Sequence, residues 1–187
     1  MKRRNFLQST ITALAATGIS TTGYSQSHKP PAKAFKVKAH QTRYKENITI
    51  ADAPIDFKLL SNDTTDQLSV FISNNLLKGF GPPLHIHYSI DEFFCIMEGN
   101  FLFQVDDEII SMEKGDTLFV PRNVKHCFNY NGETSGSLLV SIFPGKGMED
   151  YFEGMGKLVP GKGMPDMAAL KALYKKYDSE ILGPPMK

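Results

Sequence analysis

Short apolar runs, broken by turn-forming residues, fill the chain from Ile48 to Phe143. In order they are "DFKLL", "QLSVFIS", "LHIHYS", "EFFCIM", "NFLFQV", "EIISM", "TLFV", "KHCFNY" and "SLLVSIF". Asn, Asp, Gly and Pro separate them, as in "SNDTTD", "EKGD" and "PRN". Short runs at this close spacing are typical of the strands of a sandwich or barrel. The pattern therefore predicts an all-β domain over residues 47–145.

The periodicity changes after Pro144. Apolar residues recur at i, i+3, i+4 and i+7, which predicts an amphipathic helix, at Met148, Tyr151, Phe152 and Met155. A second helix is predicted to begin at Pro165, since proline is favoured at the first helical position. It would place on one face Met167, Leu170, Leu173, Tyr174 and Tyr177. We expect residues 146–187 to form a C-terminal helical extension that covers the outside of the barrel or a partner subunit.

The N-terminus reads as an export signal over residues 1–25. Lys2 and the pair Arg3-Arg4 precede a short apolar run, which is followed by small residues up to Ser25. This order is typical of a secretory signal, and the apolar run is too short for a membrane span. The arginine pair with the following "NFL" resembles the twin-arginine export motif, an ordinary secretory signal being the alternative. Either signal predicts a periplasmic or secreted protein.

Residues 26–46 are rich in lysine and arginine and contain Pro30-Pro31, so we expect a basic, solvated linker. A length of 187 residues and an apolar fraction of 41% suit one domain with a sizeable core. The net charge of +1 favours neither a nucleic acid nor, after signal removal, a membrane as a partner.

Candidate chemistry lies in "GPPLHIHYSIDEFFCIMEG", residues 81–99. In a strand, His85 and His87 point to the same side, and a bend at "YSID" predicts a hairpin that returns a carboxylate beside them. Glu92 is preferred over Asp91, because a strand beginning at Glu92 places Glu92, Phe94 and Ile96 on one inward face. Asp91 would then lie in the bend and accept backbone hydrogen bonds.

His126 follows the turn in "GDTLFVPRNVKH" and is the fourth candidate ligand. Three imidazoles and one carboxylate suit Mn, Fe, Co, Ni, Cu or Zn. A core histidine with satisfied hydrogen bonds, or a chance surface pair, is the alternative for each residue taken singly. The set predicts one divalent transition metal held by His85, His87, Glu92 and His126.

These residues resemble the two motifs of the cupin superfamily. The first is His85-x-His87-x4-Glu92-x6-Gly99, preceded by Gly79 or Gly81, and the second is Gly115-x5-Pro121 with His126. The resemblance implies a jelly-roll β-barrel, or double-stranded β-helix, with a metal at those ligands. Asn123 stands where the motif usually has glycine, and asparagine tolerates the left-handed conformation that glycine would take.

More narrowly, "GPPLHIHYSIDEFF", "EGNFLFQV" and "LYKKYDSEILGPP" resemble single-domain cupins of the quercetin dioxygenase-like group. This likeness implies a metal-dependent dioxygenase for a flavonol-like or other oxygen-rich small molecule. The superfamily also includes isomerases, decarboxylases and proteins that only bind, so a metal-dependent isomerase or lyase and a non-catalytic binder stay open. Cupins commonly dimerise, and we expect a homodimer.

Glu92 is the candidate catalytic residue, since it can stay bound to the metal or act as a base. Side chains that share the inward parity or lie on facing strands are predicted to line the substrate pocket: Phe94, Ile96, Phe103 and Phe128. The alternative for each is ordinary core packing. Tyr88 is a weaker candidate at the pocket mouth. Cys95 and Cys127 are out of phase with the ligands and fall in opposite sheets of a cupin, so we expect two free thiols.

Overall fold

The structure is a computed structural model that describes residues 33–159, 161 and 165–186. The predicted export signal and the first part of the predicted linker lie outside these residues. The strands are, in chain order, β1 (Ile48–Ile50), β2 (Ala53–Leu59), β3 (Ser69–Leu76), β4 (Pro83–His87), β5 (Asp91–Glu98), β6 (Phe101–Val105), β7 (Glu108–Met112), β8 (Thr117–Val120), β9 (His126–Tyr130), β10 (Gly136–Phe143) and β11 (Ser179–Pro185). The helices are α1 (Met148–Leu158) and α2 (Met167–Lys176), and a short 3₁₀ turn spans Ser61–Thr64.

Two antiparallel sheets pack face to face and form the predicted jelly roll. The first sheet has the order β1-β2-β3-β10-β5-β8, and the second has the order β11-β4-β9-β6-β7. Strand β10 shows why they pack: Leu138, Val140 and Ile142 are buried, while the residues between them are partly exposed. Because side chains alternate along a strand, each sheet turns one apolar face toward the other. The prediction of an all-β domain followed by two helices is confirmed.

The predicted hairpin between the first two ligands and the carboxylate is wrong in one respect. Strand β4 lies in the second sheet and β5 in the first, so the chain crosses from one sheet to the other at the bend. His85 and His87 therefore face Glu92 across the interior instead of lying beside it on a neighbouring strand. A bend has the same local sequence in both arrangements, and only the distant pairing partners decide between them.

The described end of the predicted linker packs on the domain. The Tyr44 side chain contacts the core, and its hydroxyl donates to Glu153 of α1 across 2.7 Å. The Arg43 guanidinium pairs with Asp63, and its backbone N–H donates to the carbonyl of Phe57. Most residues between 33 and 46 are exposed, whereas Arg43 and Tyr44 have partners on the domain that the local charge pattern does not reveal.

The C-terminal extension is only partly helical, because β11 ends it as an edge strand paired with β4. Helix α2 begins after Asp166, whose carboxylate accepts from the N–H groups of Ala168 and Ala169, so Pro165 lies just before the cap. Neither helix covers the barrel's outside as expected: both line the interior cavity described below. Among the described residues, no helix is long and apolar enough to cross a membrane.

Cys95 and Cys127 are free thiols, as predicted. Cys95 lies on β5 in the first sheet and Cys127 on β9 in the second, each out of phase with the inward ligand of its strand. Cys127 is nevertheless buried, so the outer face of its strand is not exposed to solvent at this position.

Candidate metal centre

Four buried side chains converge between the sheets. His85 and His87 come from β4, Glu92 from β5 and His126 from β9, and each is at most 7% exposed. One nitrogen or oxygen atom of each lies within 4.8 Å of those of the other three. The structure thus brings together all four ligands predicted from sequence.

Strand pairing explains the convergence. His85 lies directly opposite His126 in the β4–β9 ladder, and the two rings are 4.4 Å apart between centroids. His87 shares the inward side of β4 with His85. Glu92 completes the set from the opposite sheet, with its Oε2 2.7 Å from His126 Nε2 and 3.5 Å from His87 Nε2.

The outer nitrogen of each imidazole is held by an oxygen acceptor. His85 Nδ1 lies 2.8 Å from the Pro83 carbonyl, and His126 Nδ1 lies 3.1 Å from the Val124 carbonyl. A carbonyl can only accept, so both Nδ1 atoms carry a proton and Nε2 is the nitrogen that faces inward in both rings. Metal-binding histidines in proteins are oriented in this way.

Ser179 is the hydrogen-bond partner of the outer nitrogen of His87, and the sequence did not predict this contact. Its Oγ lies 2.6 Å from His87 Nδ1 and donates to the Tyr177 carbonyl across 3.0 Å. Because that hydrogen is already used, the hydroxyl accepts from His87 Nδ1–H. Ser179 lies opposite His87 in the β11–β4 ladder, 92 residues further along the chain. Nothing in the local sequence indicated this pairing.

The ionisation of the four groups suits a metal. Burial opposes the charged form of Glu92, but the nearby His87 and the hydrogen bond from His126 outweigh it and lower the pKa of Glu92 to about 2. Burial lowers the pKa of His85 and of His87, which keeps both neutral. Burial also acts to lower the pKa of His126. The hydrogen bond to Glu92 and the negative charge of Glu92 outweigh this effect, so the pKa of His126 is raised.

These shifts predict that metal binding releases a proton at mildly acid pH. In the metal-free protein the hydrogen bond and charge of Glu92 raise the pKa of His126, so the ring is protonated at mildly acid pH and its Nε2–H donates to Glu92. A metal needs that nitrogen deprotonated, so its affinity should rise about tenfold per pH unit at mildly acid pH, below the raised pKa of His126. Calorimetric titrations in buffers of different ionisation enthalpy should show about one proton released. An affinity independent of pH over this range would contradict the assignment.

The neighbouring motif residues take separate roles. Asp91 does not face the centre: its carboxylate pairs with the Arg122 side chain and accepts from the Arg122 backbone N–H across 2.8 Å. The preference for Glu92 over Asp91 agrees with this geometry. Asn123 adopts a φ of 66°, the left-handed conformation expected of it, and donates its backbone N–H to the His87 carbonyl.

A cavity of about 410 Å³ opens from the four ligands. Of the predicted pocket residues, Phe94 and Phe128 line it. Ile96 and Phe103 are not among its lining residues and are fully packed in the core. Tyr88 also lies away from the cavity: its exposed hydroxyl donates to Glu180. The alternation of side chains along the strands therefore predicted which residues face the interior, but not which of these line the cavity.

The two helices supply a wall that sequence reasoning missed. Their buried apolar and aromatic residues line the cavity, namely Met148, Tyr151, Met155, Leu170 and Tyr174. The Tyr174 ring stands edge-on to His85, 5.6 Å away between centroids, and Tyr151 packs on Tyr174. Burial raises the pKa of Tyr174 to about 12 and raises that of Tyr151 well above its usual value, so both hydroxyls stay protonated. The helical periodicity identified these faces, but not what they cover.

The donor set fits a divalent transition metal. Three inward imidazole nitrogens and one carboxylate oxygen form a mixed site of the kind such ions prefer. Each of the three histidines has an outer hydrogen-bond partner, and the residues that line the cavity are mostly apolar. Four protein ligands leave one or two positions open on an ion that prefers six-fold coordination.

Known proteins share parts of this architecture. Residues 75–143 match a family model described as a cupin domain, and the matched stretch contains all four ligands. An uncharacterized protein of Methanocaldococcus jannaschii is 33% identical over 67 residues, which cover 36% of this chain and 54% of that protein. The chain thus spans about half the length of this curated relative.

Several solved structures are similar over part of the chain. KdgF from Halomonas sp. is 16% identical, with 49% of this chain and 78% of that chain covered at a TM-score of 0.44. A predicted oxalate decarboxylase from Thermotoga maritima is 20% identical, with 49% and 79% covered at a TM-score of 0.46. The Cnp3 cupin domain of Schizosaccharomyces pombe is 16% identical, with 60% and 77% covered at a TM-score of 0.46.

Proposed function

We propose that this chain, which carries a cupin domain at residues 75–143, is a metal-dependent dioxygenase for a flat, oxygen-rich small molecule of the flavonol type. One observation carries the proposal: four buried ligands converge at a largely apolar cavity of about 410 Å³. That volume lies within the range of about 300–1,000 Å³ typical of small-molecule sites. We further propose that the protein is exported, on the strength of the sequence of residues 1–25.

The residues around the centre suit such a substrate. Phe94 and Phe128 offer aromatic walls to a flat ring, and both lie close to the ligands: the Phe94 ring is 6.2 Å from that of His126. Tyr151 and Tyr174 line the cavity with protonated hydroxyls: Tyr151 donates to Tyr174, and the Tyr174 hydroxyl can donate to an anionic oxygen of the substrate. Glu92 stays ionised at neutral pH, so its carboxylate can accept a hydrogen bond from a substrate hydroxyl.

A bound divalent metal would supply Lewis acidity toward adjacent hydroxyl and carbonyl oxygens of the substrate. The proposed overall reaction consumes one dioxygen for each substrate. Both of its oxygen atoms enter the product, and the electrons come from the carbon–carbon double bond that is cleaved. No separate reductant is therefore needed. The apolar wall of the cavity keeps water away from the reacting atoms.

Oxygen uptake tests the proposal. Protein taken from its native compartment should consume one dioxygen per molecule of a flavonol and place both atoms of ¹⁸O₂ in the product. A flavone without the 3-hydroxyl is the matched substrate control, because it lacks the adjacent hydroxyl and carbonyl. Product formation without oxygen would instead favour the isomerase or lyase alternative. Thermal stabilisation by the flavonol with no product would indicate a binding protein.

A further inference from the structure

Ser73 has a buried hydroxyl without a hydrogen-bond partner. It lies on β3, is 3% exposed, and its Oγ makes no hydrogen bond. The other buried serines of the described residues are all bonded: Ser61 and Ser69 donate to Glu149, and Ser179 joins His87 to Tyr177. A buried unpaired hydroxyl is unfavourable, so such a group needs an explanation.

The position of Ser73 supplies the explanation, because it lines the same cavity as the metal ligands. In the first sheet Ile142 pairs with both Glu92 and Ser69, whereas Leu138 pairs with Ser73. Ser73 is thus two strands across from Glu92 and four residues further along. At about 4.8 Å per strand and about 3.3 Å per residue, the two Cα atoms are roughly 16 Å apart. Ser73 therefore lines a part of the cavity that is remote from Glu92.

We infer that Ser73 Oγ binds a hydrogen-bonding oxygen at the end of the substrate distal to the metal. Three apolar cavity residues surround Ser73 in the sheet. Ile55 and Leu138 pair with it on the neighbouring strands, and Phe71 lies two residues before it on β3. A neutral hydroxyl or carbonyl suits this surrounding, whereas a charged group would be left without a partner.

The metal ligands and Ser73, at two separate positions in the cavity, together define the class of ligand. It is an elongated, mostly apolar molecule of two linked ring systems, with a chelating oxygen pair at one end and a neutral polar group at the other. A single ring cannot span the separation. This inference rests on the proposed function, since it takes the metal ligands as the binding site of the chelating end.

A ligand-free measurement tests whether the hydroxyl is unpaired. Ser73→Ala removes a buried hydroxyl that has no partner, so the melting temperature of the protein should stay the same or rise. Ser69→Ala is the matched control on the same strand, because its hydroxyl donates to Glu149. It should lower the melting temperature by about 2–4 °C. A similar decrease for Ser73→Ala would show a hidden partner and overturn the inference.

A pair of probes tests the recognition itself. The protein as isolated is titrated under nitrogen with 3-hydroxyflavone and with 3,4′-dihydroxyflavone, which adds a hydroxyl at the distal ring. Wild type should bind the second probe more tightly, and Ser73→Ala should weaken the second by about 3–10-fold while leaving the first unchanged. Ser69→Ala should change neither affinity.

The outcomes separate the inference from the proposed function. If both probes bind and Ser73→Ala affects them equally or not at all, the Ser73 inference is wrong and the flavonol-type site stands. If neither probe binds to wild type, the proposed substrate class is wrong, and the inference fails with it.

Discussion

Replacement of His126 by alanine is expected to lower the affinity for a divalent transition metal by more than about 100-fold. Loss of a residue that only orients a metal ligand typically lowers affinity by about 10–100-fold, and loss of the ligand itself should exceed that range. His126 also donates to Glu92 across 2.7 Å, so the variant leaves a buried carboxylate without that partner. Competition against a chromophoric chelator measures the affinity, and elemental analysis gives the metal content.

His40→Ala is the matched control, because His40 is an exposed histidine outside the cluster. It should keep the affinity and the metal content of wild type. Metal should also raise the melting temperature of wild type and of His40→Ala, but not that of His126→Ala, since a ligand stabilises only the state that binds it. Retention of stoichiometric metal by His126→Ala, at an affinity within about threefold of wild type, would contradict the assigned centre.

Replacement of Ser179 by alanine is expected to lower metal affinity by about 10–100-fold, although Ser179 is not a ligand. The variant removes the acceptor that holds the proton on His87 Nδ1. The ring can then rotate or carry its proton on Nε2, the nitrogen that faces the centre. Ser179→Thr retains a hydroxyl at the same position and should restore most of the affinity.

A second measurement separates orientation from simple destabilisation. In the metal-free protein, ¹⁵N NMR of the imidazoles should report a proton on His87 Nδ1 in wild type and in Ser179→Thr, and a mixture of tautomers in Ser179→Ala. A structural role alone would lower the melting temperature without changing the tautomer. Wild-type metal affinity in Ser179→Ala would show that β11 does not support the centre.

The position of Ser179 also bears on the role of the C-terminal extension. The residues that match the cupin domain end at 143, yet β11 orients a ligand, and α1 and α2 line the cavity. The extension is therefore part of the site. The cavity wall includes helices that lie outside the matched residues, and the match alone therefore does not identify a substrate.

The strand pattern predicted much of the site because side-chain direction in a strand is local. Alternation with a period of two placed His85 and His87 on one side and Glu92 on the inward face of β5, and the burial of all three agrees. The choice between Asp91 and Glu92 depended on the same rule. So did the prediction of free thiols, since Cys95 and Cys127 are out of phase with the ligands.

Pocket and core could not be separated in this way, because both lie on inward faces. Phe94 and Ile96 share a face of β5, yet only Phe94 reaches the cavity. Which inward side chains meet empty space depends on what the opposite sheet and the helices place against them. Packing of that kind joins residues far apart in sequence and leaves no local signal.

The sequence by itself determined the strands, the inward faces and the four residues that converge at the candidate metal centre, because these follow from turn residues and a period of two. Only the tertiary structure decided that β4 and β5 lie in opposite sheets, that Ser179 orients His87, and that the helices line the cavity. Each of these depends on pairing between distant segments. Pairing is set by the burial of whole faces, and the residues on either side of a turn do not encode it.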